Sequence, residues 1–293
     1  MPSPTMTGAS TGSASRWGPL WGNRPADWAL SEDQQGPTYE AALRHVGLEP
    51  GQRVLDVGCG AGAFLRLVAE RGAAPSGIDA SAALVELARA RLPLADVRVG
   101  EMEHLPYADA SFDLVTGFNS FFFANDMVAA LREARRVAVP GGRVVIQVWG
   151  RHERCDLEAM KQIARPFLPP RPPDAPPDPD LSQPGVLEAL AIEAGLVPEQ
   201  QLDVTWAFEY PDERTLGRAL TAVAGLAFLA GPERENELKQ AILGGLAGFR
   251  GVDGSYRLEN EYVILIARAC PVHRVEALAR RWGMYPHGVC FGA

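Results

Sequence analysis

The stretch Arg53-Val-Leu-Asp-Val-Gly-Cys-Gly-Ala-Gly62 decides the fold of this chain. Its first half is typical of a buried strand, and the glycines that follow turn the chain towards a helix. That helix is predicted to begin near Ala61, because Phe64, Leu67 and Val68 have the i, i+3, i+4 spacing of an apolar helical face. Glycine accepts positive φ and lets a ligand approach the backbone closely. The stretch therefore predicts a nucleotide-binding corner.

Strands and helices alternate on both sides of this corner, with short connections. Such alternation implies an α/β fold with a doubly wound, mainly parallel sheet and right-handed crossovers. Between the sixth and seventh strands, two apolar helical patterns predict a helical insertion. The predicted sheet has seven strands, at residues 53–57, 75–79, 96–100, 112–118, 143–149, 201–210 and 255–268.

The organisation of the chain follows from these elements. Trp17, Trp21 and Trp28 lie in an otherwise polar opening segment, which could form a lid over a ligand or simply pack onto the core. The insertion is a candidate substrate cap, or else a cover for a sheet edge. The predicted segments are a partly disordered N-terminal arm (1–36), a cofactor-binding core (37–210), a helical cap (211–254), the last core strand (255–269) and a tail of unreadable function (270–293).

Composition limits the classes of function. The chain has 36 acidic and 28 basic residues, for a net charge of −8, which argues against general nucleic-acid binding. No apolar run reaches the length of a membrane span, and Met1 to Ser15 lacks the pattern of a secretory signal. The cysteines have no metal-ligand or disulfide spacing, so we expect no metal site and a reducing, cytoplasmic location. They are Cys59, Cys155, Cys270 and Cys290.

The residues of the corner distinguish between possible ligands. The glycines fall as Gly58-x-Gly60-x-Gly62, which differs from the G-x-G-x-x-G spacing of dinucleotide oxidoreductases. Asp56, just before them, would repel a pyrophosphate, whereas a helix N-terminus alone attracts anions. A ligand with a cationic group would be favoured by Asp56. This charge pattern favours S-adenosylmethionine, which has an ammonium and a sulfonium, over a nicotinamide dinucleotide.

The same residues resemble motif I of the class I S-adenosylmethionine-dependent methyltransferases, most like the ubiquinone/menaquinone-biosynthesis (methyltransferase domain 11/25) type. The resemblance covers about residues 50 to 210, and further motifs of the family follow in the family's order. They are Gly77-Ile-Asp79, Gly100-Glu-Met-Glu-His-Leu-Pro106, Ser111-Phe-Asp-Leu-Val115 with Gly117-Phe-Asn119, and Arg136-Val-Ala-Val-Pro-Gly-Gly142.

The resemblance implies a Rossmann-like methyltransferase fold and a set of cofactor-binding residues. Asp79 would hold the ribose hydroxyls, and Glu101 the adenine amino group. The family usually has Asp-Ala where this chain has Glu101-Met102; the longer Glu101 can still accept the adenine amino hydrogen bond, and Met102 would pack on the ring. Cys59 would contribute its backbone. The implied set is Asp56, Gly58, Cys59, Gly60, Gly62, Asp79, Ala80, Glu101, Met102, Glu103, Phe118 and Asn119.

The function implied is direct in-line methyl transfer from S-adenosylmethionine to a small-molecule acceptor. Because the sulfonium already activates the methyl group, no catalytic residue is required. Tyr39, His104 and Glu209 are the weak candidates for a catalytic role. The alternative is a cofactor-binding protein of the same fold without transferase activity. The sequence defines neither the acceptor nor the atom methylated, and the opening segment and the tail could each mediate contacts in a homo-oligomer.

Overall fold

The computed structural model describes residues 12–170 and 179–270. In this part of the chain one sheet has the strand order β3-β2-β1-β4-β5-β7-β6. The neighbours β1 and β4 lie at the point where the strand order reverses, which is where ligands bind in open α/β sheets. The strands are β1 (Arg53–Val57), β2 (Ala74–Asp79), β3 (Asp96–Val99), β4 (Phe112–Phe118), β5 (Ala138–Trp149), β6 (Leu196–Tyr210) and β7 (Tyr256–Ala269).

Helices pack on both faces of this sheet, and three of those in the described residues precede β1 in the chain. They are α1 (Ser13–Trp21), α2 (Pro25–Glu32), α3 (Gly36–Val46), α4 (Ala63–Glu70), α5 (Ala82–Arg91), α6 (Met127–Val137), α7 (Leu157–Ala164), α8 (Val186–Glu193), α9 (Glu213–Ala222), α10 (Leu226–Ala230) and α11 (Glu235–Gly245). A 3-10 turn, Asp33–Gln35, joins α2 to α3. Side chains cap two of these helices: Leu84 N–H donates to the Ser81 hydroxyl over 3.2 Å, and Ala129 N–H to the Asp126 carboxylate over 3.0 Å.

The seven-stranded sheet is mixed. Strands β1 to β5 pair in parallel, as predicted, but β7 runs antiparallel to both β5 and β6. Strand and helix alternation predicts parallel pairing only where a crossover connects neighbouring strands. Here β6 and β7 form an antiparallel pair, with the helices α9, α10 and α11 in the connection between them.

The start of β5 differs from the prediction. The strand was predicted to begin at Arg143, but Ala138 already pairs with Phe112 of β4. The next pair is Leu114 with Arg143, so the register shifts between them. The predicted start of β5 is therefore wrong. A bulge takes up the Pro-Gly-Gly residues inside the strand, and Gly141 provides the positive φ of 87°.

The insertion lies on the ligand side of the sheet. Trp149, the last residue of β5, pairs with Tyr262, and the β6–β7 pair continues beyond this point to Tyr210 and Tyr256. The connection between the two strands therefore begins and ends past the carboxyl end of β5. Its helices pack with α7 around a separate apolar cluster that includes Leu220, Leu238, Ile242 and Leu258.

The two ends of the chain are only partly described. Residues 12–36, predicted to be partly disordered, form α1, α2 and the 3-10 turn. The prediction for residues 1–11 and for the tail beyond Cys270 lies outside the described residues. None of the helices in the described ranges is long and apolar enough to cross a membrane.

A buried carboxylate provides a test of the sheet's stability. Glu261 on β7 is 2% exposed and accepts hydrogen bonds from Arg151 (3.0 Å) and Arg154 (2.9 Å). The bond from Arg151 is the main reason why its pKa falls from 4.5 to about 2. This depressed pKa contributes stability above pH 4.5 that is lost as the pH falls towards 2. We expect Glu261→Gln to lower the free energy of unfolding by about 1–3 kcal/mol at pH 7.

Urea unfolding at pH 7 and at pH 4 measures this effect. The difference in the free energy of unfolding between the unmodified protein and Glu261→Gln should be smaller at pH 4. Glu70→Gln is the control, because Glu70 pairs with Arg66 over 2.8 Å on the exposed face of α4. We expect it to change the stability by less than about 0.5 kcal/mol. Equal effects of the two substitutions would contradict the role assigned to Glu261.

Candidate cofactor site

The glycine corner forms the turn that the sequence predicts. The φ angles of Gly58, Gly60 and Gly62 are +77°, +55° and +86°, in the left-handed region that favours glycine. The N–H groups of Gly58 and Cys59 both donate to the carbonyl of Ile78, over 2.8 and 3.1 Å. The turn is thus fixed against the carboxyl end of β2, and the chain then enters α4.

Two acids flank this turn. Asp56 is 3% exposed and accepts a 2.6 Å hydrogen bond from the Thr116 hydroxyl. Asp79 is partly buried and accepts from the N–H groups of Gly60 (2.9 Å) and Ser81 (2.8 Å). Burial is the main reason why the pKa of both carboxyl groups is raised. A ligand with cationic groups and hydroxyl donors would therefore suit this corner electrostatically.

Cys59 contributes to packing and backbone geometry. Its side chain is 3% exposed, and its Sγ lies 2.7 Å from where a Cβ would stand on Gly77. Burial raises the pKa of the thiol well above its usual value, so it stays protonated at neutral pH. A nucleophilic role is therefore disfavoured, in agreement with the backbone role that the resemblance implies.

The residues predicted to hold the adenine are engaged within the chain. Both carboxylate oxygens of Glu101 accept hydrogen bonds from the start of α1: the Ser13 hydroxyl donates over 2.7 Å and the Ala14 N–H over 2.8 Å. Burial alone would raise the pKa of Glu101, but these bonds leave it below its usual range. Met102 packs against the sheet core. The Glu103 carboxylate accepts from the N–H of Asp126, over 2.7 Å.

The end of β4 carries the last two predicted residues. Phe118 is buried, and its ring centroid lies 4.6 Å from that of Tyr39 and 4.7 Å from that of Phe64. Asn119 has a φ of +53°, and its side-chain amide donates to Gln35 over 3.3 Å. Its Oδ1 is buried without a partner among the described residues.

Of the three catalytic candidates, the structure brings only Tyr39 to the site. Burial raises its pKa well above 10, so the phenol stays protonated at neutral pH. His104 is exposed, and its backbone N–H donates to the Glu101 carbonyl over 3.3 Å. The Glu209 side chain is 72% exposed and lies 3.5 Å from Arg257. The structure thus does not gather these residues into one catalytic group.

One residue that the sequence did not single out lies at the centre of the corner. Glu32, at the end of α2, is 4% exposed, and its two carboxylate oxygens accept from the N–H groups of Ala61 (2.7 Å) and Ala63 (2.9 Å). Burial is the main reason why its pKa is raised to about 7. Its sequence neighbours are polar, which is typical of an exposed turn. The only signal was the helical spacing of Glu32, Gln35 and Tyr39 along one face.

A metal centre finds no support in the described ranges, where no group of three or more His, Cys, Asp or Glu side chains could hold an ion. The residues present fit S-adenosylmethionine better. Asp56 and Asp79 match its cationic and hydroxyl groups. At Gly60 only a glycine fits, because a Cβ there would lie 2.6 Å from the Glu32 carboxylate.

Comparisons with known proteins show which proteins the chain is similar to. Residues 55–146 match the protein family described as "Methyltransferase domain". The chain is 33% identical over 140 residues to a demethylmenaquinone methyltransferase of Tropheryma whipplei (strain Twist), covering 47% of this chain and 55% of that protein. It is 34% identical over 115 residues to a malonyl-(acyl-carrier protein) O-methyltransferase of Serratia marcescens, covering 39% and 45%. The chain spans about half the length of these curated relatives.

Among solved structures, the YcgJ protein from Bacillus subtilis superposes with a TM-score of 0.54 at 18% identity, covering 80% of this chain and 99% of that one. A likeness at this identity shows the fold alone. The sheet thus has the fold of that protein, and residues 55–146, which include the glycine corner, match the methyltransferase domain. The resemblance to the S-adenosylmethionine-dependent methyltransferases, drawn from the sequence motifs, is confirmed.

Proposed function

We propose that this chain is an S-adenosylmethionine-dependent methyltransferase that acts on a small-molecule acceptor. The observation that carries the proposal is the glycine corner with Asp56 and Asp79, placed where the strand order reverses between β1 and β4. Acidic groups in partly or fully dehydrated positions favour a cationic ligand over a dinucleotide. The family match over residues 55–146 supports the same cofactor.

The chain's own residues would bind and orient this cofactor, which supplies an already activated methyl group. Asp79 would accept from the ribose hydroxyls, and Asp56 would balance the cationic methionine end. Glu101 would accept from the adenine amino group. The glycine corner lets the ligand approach the backbone. Phe118 and Tyr39 would form an apolar wall that keeps water away from the transfer.

Two features support a small acceptor. Glu32 of the N-terminal arm contacts the glycine corner, and helices α9 to α11 connect the ends of β6 and β7. Both relatives named above carry methyltransferase names with a quinone precursor or a carrier-bound malonyl group as the acceptor. We infer a small organic acceptor held between the sheet end and the residues 211–254. No base is assigned, because direct in-line transfer to a suitable nucleophile needs none.

Isothermal titration of the purified protein with S-adenosylmethionine and S-adenosylhomocysteine tests the cofactor proposal. We expect Asp79→Ala to weaken the binding of both by about 10- to 100-fold, because a hydrogen bond to a charged group is lost. Asp203→Ala is the matched control, since Asp203 is exposed on β6 and should leave the affinity unchanged. No binding by the unmodified protein at millimolar ligand would refute the proposal.

The second candidate function is a cofactor-binding protein without transfer. It is favoured by one observation, the engagement of Glu101 by Ser13 and Ala14. Transfer of a labelled methyl group to a panel of phenols, amines, carboxylates and quinone precursors distinguishes the two. Cofactor binding without turnover on any acceptor would support this second function.

A further inference from the structure

We propose that residues 12–35, here called the docked arm, occupy the cofactor groove themselves, so that arm docking and cofactor binding exclude each other. This inference rests on the proposed function, because it concerns the same groove. It goes beyond a lid that covers a bound ligand: the docked arm takes the ligand's own partners at successive points along the groove.

The first point is the glycine corner. Glu32 accepts from the N–H groups of Ala61 and Ala63, at the start of α4. These backbone donors at a helix N-terminus are the groups that would receive the carboxylate of the cofactor's methionine end. The Glu32 carboxylate also fills the space in front of Gly60. One carboxylate must leave before another can bind there.

The second point is the residue predicted to hold the adenine. Ser13 and Ala14 donate to the two carboxylate oxygens of Glu101. An ideal Cβ on Gly12 would lie 2.1 Å from Glu101 Oε2, so the backbone of the arm is in direct contact with this side chain. An adenine amino group has no room to approach the carboxylate from this side.

The third point lies between the other two, directly after Asp79. An ideal Cβ on Gly18 would lie 2.3 Å from the carbonyl oxygen of Ala80, and one on Gly22 would lie 2.6 Å from the Ser81 hydroxyl. Helix α1 thus packs with its backbone against the residues that follow Asp79. A nucleoside cannot fit between them.

The ion pairs that join the docked arm to helices α9 and α11 are compatible with release of the arm. Arg24 pairs with Glu235 over 2.6 Å, and Asp27 with Arg218 over 2.8 Å, in ion pairs with partly exposed side chains. Such pairs hold an element only weakly. The docked form also keeps the carboxylate of Glu32 buried, which disfavours its charged form. The docked arm is also held by a buried 2.9 Å hydrogen bond between the hydroxyls of Ser31 and Tyr210 and by the packing of Trp17 on Phe123, so the cofactor's contacts must outweigh these for release.

A reversible disulfide tests this exclusion. An ideal Cβ on Gly22 lies 3.6 Å from the Cβ of Ala83, within the range that a disulfide requires, and the φ of Gly22 is −79°. The Ser81 hydroxyl has to rotate away to make room. In the Gly22→Cys/Ala83→Cys protein, we expect the oxidised form to bind S-adenosylmethionine at least about 100-fold more weakly than the reduced form. The unmodified protein, oxidised and reduced in the same way, is the control.

A second variant weakens the docking. Glu32→Ala leaves the N–H groups of Ala61 and Ala63 without an acceptor from the arm. We expect Glu32→Ala at pH 8 to bind S-adenosylmethionine about tenfold more tightly, because a larger fraction of the protein is open. Glu86→Ala, at an exposed position on α5, should leave the affinity unchanged. In the unmodified protein, saturating S-adenosylmethionine should accelerate tryptic cleavage after Arg16, because α1 has left the groove.

The outcomes separate this inference from the proposed function. Equal binding by the oxidised and reduced double-cysteine protein overturns the exclusion and leaves the cofactor assignment intact. Binding by neither form, nor by the unmodified protein, overturns both. Weaker binding by Glu32→Ala would make Glu32 a ligand of the cofactor's ammonium group, which also overturns the exclusion.

Discussion

Replacing Gly58 by alanine is expected to lower the free energy of unfolding by about 2–4 kcal/mol and to abolish measurable cofactor binding. The φ of Gly58 is +77°, which costs an L-residue about 1–2 kcal/mol. A Cβ at this position would also lie 2.4 Å from the Cβ of Ser120. Ser120 cannot move freely, because its hydroxyl donates to the Val57 carbonyl over 2.5 Å. Relief of the clash therefore displaces the carboxyl end of β1 and the corner with it.

The matched control is Gly51→Ala. The φ of Gly51 is +81°, nearly the same as that of Gly58, but no atom lies within 4 Å of the position that its Cβ would take. This control isolates the backbone strain, and we expect it to cost only about 1 kcal/mol and to leave the cofactor affinity unchanged. Urea unfolding and isothermal titration measure both quantities. Equal losses of stability in the two variants would show that the contact with Ser120 does not contribute to the destabilisation by Gly58→Ala.

The glycine corner could be predicted from the sequence because its chemistry is local. A strand, a turn that needs positive φ and a helix follow one another within residues 53–70. The caps Ser81 and Asp126 could be predicted for the same reason, since each bonds to an N–H three residues later. The five parallel strands follow from their connections, because each crossover constrains where the next strand can lie.

The rest depends on contacts between distant parts of the chain. The direction of β7 is set by its pairing with β5 and β6, and no local pattern specifies that. The bulge at Pro140–Gly142 forms because β4 pairs on both sides of it, whereas the same residues alone indicate a break. Glu32 lies 31 residues before Ala63, in a polar stretch, and only the packing of α2 against the corner buries it. The sequence also did not indicate that residues 12–35 contact Glu101 and the glycine corner.

The affinity for S-adenosylmethionine is expected to increase about tenfold or more as the pH rises from 5.5 to 7.5. In the docked arm the pKa of Glu32 is raised from 4.5 to about 7, chiefly by burial, with Arg91 opposing and Asp33 adding to the shift. Once the arm has left the groove, this carboxyl group is in water and returns towards its ordinary pKa. Protonation below pH 7 therefore stabilises the docked arm, and deprotonation as the pH rises through 7 favours release.

Other titratable groups lie near Glu32, and they determine which pH range isolates its protonation. Asp56 also has a raised pKa, to which Glu32 contributes, so the two carboxyl groups titrate together. Tyr39 and Cys59 stay protonated over this range, because burial raises the pKa of each. The upper limit of pH 7.5 keeps most of the cofactor's amino group protonated, since α-amino groups titrate at about 7.7–8.0.

Titrations of the unmodified protein and of Glu32→Gln at half-unit pH steps separate these contributions. The Glu32→Gln protein should lose most of the pH dependence, and what remains reports on Asp56. The reduced Gly22→Cys/Ala83→Cys protein should keep the dependence, because Glu32 is intact and its arm is free to leave. Two results would show that protonation of Glu32 does not control access to the groove. One is an affinity that decreases with rising pH, and the other is an equal pH dependence of the affinity in the unmodified protein and in Glu32→Gln. The arm would then have to be released by the ligand's own contacts alone.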